Sequence, residues 1–200
     1  MNIFNKIADH YDSPKQIQLA DIITKEVQKE LIGINTSEKI ALDYGCGTGL
    51  ISLPLAEKFK ELQLVDPAEA MLKIVNRKIE ATGLKNTHVI ADYFADGSNT
   101  VVKADVIIVS LVLLHVPNTE KVLQDLYNRL NPQGTILIVD FDKNEKINHE
   151  KVHNGFSQTE LKKKMTDIGF HLPISRTFYH GENLFMNQAA SMFILRAGKM

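Results

Sequence analysis

Three glycines at alternate positions, Gly45, Gly47 and Gly49, follow the apolar run Ile40, Ala41 and Leu42, with Asp43 and Tyr44 between the two. Such a turn leaves bare peptide groups for a ligand to lie against, because glycine has no Cβ and adopts positive φ without strain. Thr48 and Gly49 then lead into a helix-like segment at 50–60, the usual setting of a cofactor-binding turn. On its own the cluster also suits an ordinary strand-to-helix turn. Asp66 adds weight to the first alternative. It ends a short strand-like segment at 61–66, and a βαβ unit sets a carboxylate against a ribose about 20 residues beyond its glycine turn. Followed by Pro67, Asp66 equally suits a helix N-cap, so both roles stay open. Cys46, inside the turn, reads as a small side chain, since no neighbouring residue argues for a lowered thiol pKa.

The elements that must hold these residues alternate along the chain. Strand-like runs fall at 40–44, 61–66, 87–91, 105–110, 135–141, 174–179 and 191–197, with helical patterns between most of them. Alternation of this kind predicts an α/β fold, a parallel sheet covered by helices on both faces. The continuous β-branched run at 105–110 predicts a strand buried on both sides, near the sheet centre. Ser13, Pro14 and Gln16 form a helix start ahead of Ile17, Ala20, Ile23, Val27 and Leu31 at helical spacing. Further helices are expected from Pro67 to a stop at Gly83, after 117–119 with Val122, Leu123, Leu126 and Leu130 inward, and at 160–168 between Ser157 and Gly169. A turn is expected at 131–134. The polar stretch 142–154 is the clearest long loop, and loops of that length in compact domains tend to carry function.

Composition narrows the partners. The 23 Lys plus Arg nearly cancel the 24 Asp plus Glu, so no global field recruits nucleic acid or an anionic membrane. The longest apolar run, 106–114, is far short of the roughly 20 residues that span a bilayer, and the polar N-terminal stretch lacks a signal-peptide core. A single cysteine excludes an internal disulfide framework and a cysteine zinc cluster. These features predict one cytoplasmic domain. His149, His153 and His180 sit in polar surroundings without a patterned acidic ligand, so solvated histidines rather than a metal site are expected. The run Lys162, Lys163, Lys164 is expected to be a solvated helix face.

In this order, 42–49, Val65-Asp66 with Met71-Leu72, Ala91-Asp92, 104–110 and 126–134 resemble the small class I methyltransferases that use S-adenosylmethionine, of the ubiquinone and menaquinone biosynthesis type. The likeness runs over nearly the whole chain. It implies a Rossmann-like seven-stranded sheet, mostly parallel, with its last strand antiparallel. It also implies a single domain with an N-terminal lid segment and helix at 1–34, a cofactor-binding core at 35–141 and a substrate-side part at 142–200. Carried over residue by residue, Gly45, Gly47 and Gly49 lie against the methionine and ribose, Asp43 sits near the amino group, and Asp66 takes the ribose hydroxyls. Asp92 and Tyr93 meet the adenine, with Met71 near the ring. Ser110 and Leu111 line the methionine end. Met71 and Leu111 also read as core, and Asp92 as a turn cap.

A sulfonium methyl donor is already activated, so positioning supplies much of what remains. A base is needed only where the acceptor must lose a proton, and Tyr11, His10 and His115 are the candidates. Tyr11 could instead anchor the N-terminal segment, and His115 could be a buried, hydrogen-bonded core histidine. With no large insertion between the helix after Pro117 and the strand at 135, a small-molecule acceptor is expected. Two other functions share the pattern. A nicotinamide-dependent oxidoreductase wants glycine where Leu50 stands, and a non-catalytic S-adenosylmethionine-binding module would keep every residue named above.

Overall fold

The computed structural model describes residues 3–92, 102–150 and 152–200. The chain divides into two compact units, 1–106 and 107–200.

The first unit holds α1 (Ile3–Tyr11), α2 (Pro14–Glu30), β1 (Ile40–Tyr44), β2 (Glu61–Val65), α3 (Glu69–Thr82) and β3 (Thr87–Ile90). β1 pairs with β2 and β2 with β3, both in parallel, from Ile40↔Glu61 to Tyr44↔Val65 and from Leu62↔Thr87 to Val65↔Ile90. Ala41, Leu42, Leu62, Leu64 and Val65 are fully buried, which is why these strands are rich in apolar residues instead of alternating strictly. α2 starts as expected, with Ser13 Oγ accepting from Gln16 N, and α3 ends on Gly83 at φ 70. Gly83 donates to Ile79 O at 2.9 Å, the bond that closes the last turn.

Two expectations for this unit need correction. The segment 50–60 carries a 3-10 helix at Leu53–Lys58 in place of an α-helix. Leu55 N bonds Ser52 O and Phe59 N bonds Ala56 O, each three residues back. Ile17 is 49% exposed, and the buried stripe of α2 runs instead through Leu19, Ala20, Ile23 and Val27.

The second unit contains α4 (Thr119–Arg129), β5 (Leu130–Phe141), α5 (Gln158–Ile168), β6 (His171–Phe185) and β7 (Gln188–Gly198). The strand divided between the units is β4 (Ala104–Ser110), and the whole sheet has the order β3-β2-β1-β4-β5-β7-β6. β7 is antiparallel to β5 and to β6, so the antiparallel last strand is present. β4 falls in the middle, and five of its seven residues from Val106 onward are buried. Asn118 caps α4 by accepting from Lys121 N, and Ser157 caps α5 by accepting from Glu160 N.

The turn expected at 131–134 is absorbed into β5, although Gln133 keeps a positive φ of 61. Gln133 N bonds Lys199 O, which holds this stretch beside the chain end. Lys199 Nζ in turn donates to Tyr127 O and Leu130 O at 2.7 and 2.9 Å and stands 4.3 Å over the Tyr127 ring. The two late strands run longer than their apolar centres predict, because Met186 and Asn187 at φ 50 and 58 turn them into a tight hairpin. Among the described residues no helix is long and apolar enough to cross a membrane.

Candidate functional site

In the first unit the strand ends bring the motif residues together. The glycine loop leaves the carboxyl end of β1, Asp66 follows β2, and Asp92 lies just past β3. Ligands bind at this edge of open α/β sheets. Gly45, Gly47 and Gly49 all have positive φ, at 77, 54 and 76, so each is conformationally required. A Cβ on Gly49 would stand 2.8 Å from the Leu53 side chain, whereas one on Gly47 would meet only the Tyr11 ring, at 3.9 Å.

The loop is held by β2. Gly45 N and Cys46 N both donate to Val65 O, at 2.8 and 3.0 Å, and Gly47 N donates to Asp66 Oδ2 at 2.9 Å. The other carboxylate oxygen, Oδ1, accepts from Ala68 N at 2.7 Å. One side chain thus ties the glycine loop to the start of α3, and each oxygen keeps a further lone pair. Burial pushes the Asp66 carboxyl upward against the pull of these two backbone donors.

Asp43 is completely enclosed in β1, and burial raises it to about 7, with the Asp66 charge adding to the rise. The Ser52 hydroxyl eases the effect, although its geometry falls short of a hydrogen bond. No cationic side chain acts on Asp43 among the described residues. The loop therefore offers a buried acid in want of a positive charge. Burial, Asp43 and Asp66 also push the Cys46 thiol well up, which leaves it inert.

α1 lies along α3, where Ala8, Ala68 and Met71 form a small core with Phe4, Tyr11 and Ile74 against it. Met71 is 1% exposed there. Polar contacts fix both ends of α1. Asn5 Oδ1 accepts from Ala70 N at 3.0 Å, and Asp12 takes Thr48 Oγ1 on one oxygen and Lys78 Nζ, at 2.7 Å, on the other. Lys78 Nζ also donates to Thr48 O at 2.8 Å. Asp12, Thr48 and Lys78 carry no local sequence signal, because each pair of them is at least 30 residues apart in the chain. Burial and the charges of Asp66 and Asp12 raise the Tyr11 phenol, so at neutral pH it is a hydroxyl donor and not a base.

A family model described as a methyltransferase domain matches residues 35–184. The chain belongs to the class I S-adenosylmethionine-dependent methyltransferases. It is 30% identical over 147 residues to the demethylmenaquinone methyltransferase of Thermus thermophilus, covering 70% of this chain and 64% of that one. It is also 30% identical over 132 residues to the carboxy-S-adenosyl-L-methionine synthase of Campylobacter lari, covering 63% and 49%. The chain thus spans about half to two thirds of the length of these curated relatives. In fold it is similar to a crystallised methyltransferase from Aquifex aeolicus, with a TM-score of 0.71, 20% identity and 98% of each chain covered.

The remaining residues expected of a methyltransferase lie elsewhere. Tyr93 is outside the described residues. Ser110 and Leu111 belong to the second unit, as does His115. Ser110 Oγ is buried without a hydrogen-bond partner, and Leu111 takes the left-handed conformation at φ 55 as the chain leaves β4. His115 ends a 3-10 turn at Leu113–His115 with its side chain exposed, so it is not a core histidine. Partial desolvation still holds its imidazole below the usual histidine value.

That turn is pinned by a residue the sequence did not single out. Asp140, fully buried in β5, accepts from Leu114 N at 3.2 Å and from Phe141 N at 2.9 Å. Burial raises it to about 7. A lone acid between Val139 and Phe141 in an apolar strand was the available signal. His153 also departs from expectation, because it is bonded and not solvated. Its N–H donates to Leu114 O, and its Nε2 lies 2.8 Å from Val116 O. His180 pairs through Nδ1 with Ser191 Oγ at 3.0 Å. Lys163 and Lys164 remain on a solvated face, bonded to Asp167 and Glu120.

Proposed function

We propose that the chain works as a single methyltransferase domain that moves a methyl group from S-adenosylmethionine to a small-molecule acceptor in the cytoplasm. The observation that carries this is the Asp66 carboxylate, which grips Gly47 N and Ala68 N at the carboxyl edge of β1 and β2 while keeping lone pairs for a ligand. Bound S-adenosylmethionine supplies a methyl already activated on a positive sulfur.

The first unit's residues suit that group. Asp66 would accept from the ribose hydroxyls, with Asp92 and Tyr93 toward the adenine. Asp43 would meet the amino cation, the charge its burial lacks. The peptides of Gly45, Gly47 and Gly49 would lie along the ligand, since side chains there are excluded by φ. Met71 and Tyr11 would help close the loop from the α1 side. Ser110 and Leu111 enter as contacts to the methionine end on resemblance, with the unpartnered Ser110 hydroxyl in favour.

What the protein adds is positioning, which in favourable cases contributes about 7 to 11 kcal/mol. His115, neutral at physiological pH because its pKa is held down, would take a proton from an acceptor that must lose one. Calorimetry with S-adenosylhomocysteine and NADH tests the cofactor. Incubation with labelled S-adenosylmethionine and a metabolite extract, read as a mass gain of one methyl group, tests the acceptor. Tight NADH binding without a response to S-adenosylhomocysteine overturns the proposal, and cofactor binding with no acceptor turned over in any extract leaves a sensor instead of an enzyme.

A further inference from the structure

The segment that follows β5 is a closed loop with its own neck. Lys143 N bonds Phe156 O and Asn144 N bonds Asn154 O, at 3.0 and 2.8 Å, while Asn144 Nδ2 reaches Ala189 O. Gly155 packs so closely on the Asp142 carbonyl that a Cβ would collide with its oxygen. Asp142 accepts from Gln158 Nε2 and Thr177 Oγ1, which fastens the base of the loop. The base therefore holds without help from His153.

His153 reaches instead to the turn after β4. Its backbone N–H and its ring bond the carbonyls of Leu114 and Val116, the residues on either side of His115. A carbonyl can only accept, so the proton of this imidazole sits on Nε2. The Phe156 ring, 5.5 Å away and tilted, backs it. Within the turn His115 N bonds Val112 O and Val116 N bonds Leu113 O. Asp140 holds the Leu114 N–H and His153 holds the Leu114 carbonyl, so the two peptides that flank this residue are both held.

We propose that His153 is a positioning residue of the acceptor side, clamping the loop after β5, described at 142–150 and 152–157, to the turn that presents His115 so that loop and histidine move as one. This rests on the function proposed above. A loop that merely covered the surface would have no use for a ring bond to Val116. Coupling it to the turn means that an acceptor ordering the loop also orders His115.

The test is hydrogen exchange read by mass spectrometry on the full chain, with and without S-adenosylhomocysteine, for the wild type, His153→Ala and His153→Gln. His153→Ala is expected to raise exchange about tenfold at 144–150 and at 114–116 together, the consequence of losing a side-chain bond and loosening its neighbour. Glutamine keeps an N–H donor and is expected to restore protection at 114–116. With an acceptor from the labelled screen, His153→Ala should raise the acceptor KM about fivefold or more and leave the S-adenosylmethionine KM within about twofold. Faster exchange at 144–150 with 114–116 unmoved would overturn the clamp, as would equal loosening throughout the chain in both variants. If the wild type fails to bind S-adenosylhomocysteine, the proposed function falls while the exchange result still judges the clamp.

Discussion

Two turns in this molecule are built by one device and finished differently. The glycine loop after β1 is pinned by Asp66, through Gly47 N, and the turn after β4 is pinned by Asp140, through Leu114 N. Each carboxylate accepts two backbone N–H groups, and burial raises both. The difference lies in what the turns display. Three glycines with positive φ strip side chains from the first and leave peptide exposed to a ligand, whereas the second spends its left-handed conformation on Leu111 and carries a histidine outward. Asp66, at the carboxyl end of β2, keeps 8% of its surface exposed, and Asp140 keeps none. A buried acid that organises a loop is therefore no sign of a ligand by itself. What the loop shows to solvent decides.

The comparison breaks most sharply at Asp66. Asp66→Ala should weaken S-adenosylhomocysteine binding by about two orders of magnitude by calorimetry, since charge-assisted bonds contribute about 1.5 to 3 kcal/mol each. An equal loss in stability and affinity would make Asp66 a second Asp140, a cap and nothing more. Asp140→Ala should do the reverse, costing about 1 to 3 kcal/mol for the stranded Leu114 N–H, seen as a Tm several degrees lower at unchanged cofactor affinity.

Asp140 also predicts a pH trend. Its folded pKa of about 7 lies above the unfolded carboxylate value, so its contribution to stability is full below about pH 4 and is lost as pH rises to 7. Denaturant titrations of Asp140→Asn should show a shallower decline over that window.

Asp43 sharpens the ligand side of the contrast. Its carboxyl is raised to about 7, and a bound amino cation favours the charged form. S-adenosylhomocysteine affinity should therefore fall as pH drops below 7, by up to about tenfold per unit, and Asp43→Asn should flatten that slope. The smallest effect is expected at Lys78. Its bridge to Asp12 is only partly shielded, and such pairs contribute about 1 kcal/mol or less, so Lys78→Met should change cofactor affinity only a few fold and reduce its salt dependence.

The first turn was legible in the sequence and the second was not. Gly45, Gly47, Gly49 and Asp66 announce themselves because φ and strand spacing constrain residue type locally. The α/β class followed from alternation, the central strand from the apolar run at 105–110, and the caps at Ser13 and Ser157 from one side chain and one nearby N–H. By contrast, Asp12 meets Lys78, and His153 meets Val116, through folding alone, and no short-range rule favours either pair. Helical spacing misled at 50–60, where Leu55 N and Phe59 N bond three residues back in a 3-10 helix, and at Ile17, where periodicity gave the right helix but the wrong edge of its buried stripe. His153 was misjudged because its neighbours in sequence are polar, although its neighbours in space are carbonyls.

Lys199 is the plug of a joint that no neighbouring residue could seal in its place. Exchanging it for methionine would withdraw an ammonium from two carbonyl oxygens and from the face of Tyr127, uncorking the junction where α4 runs into β5.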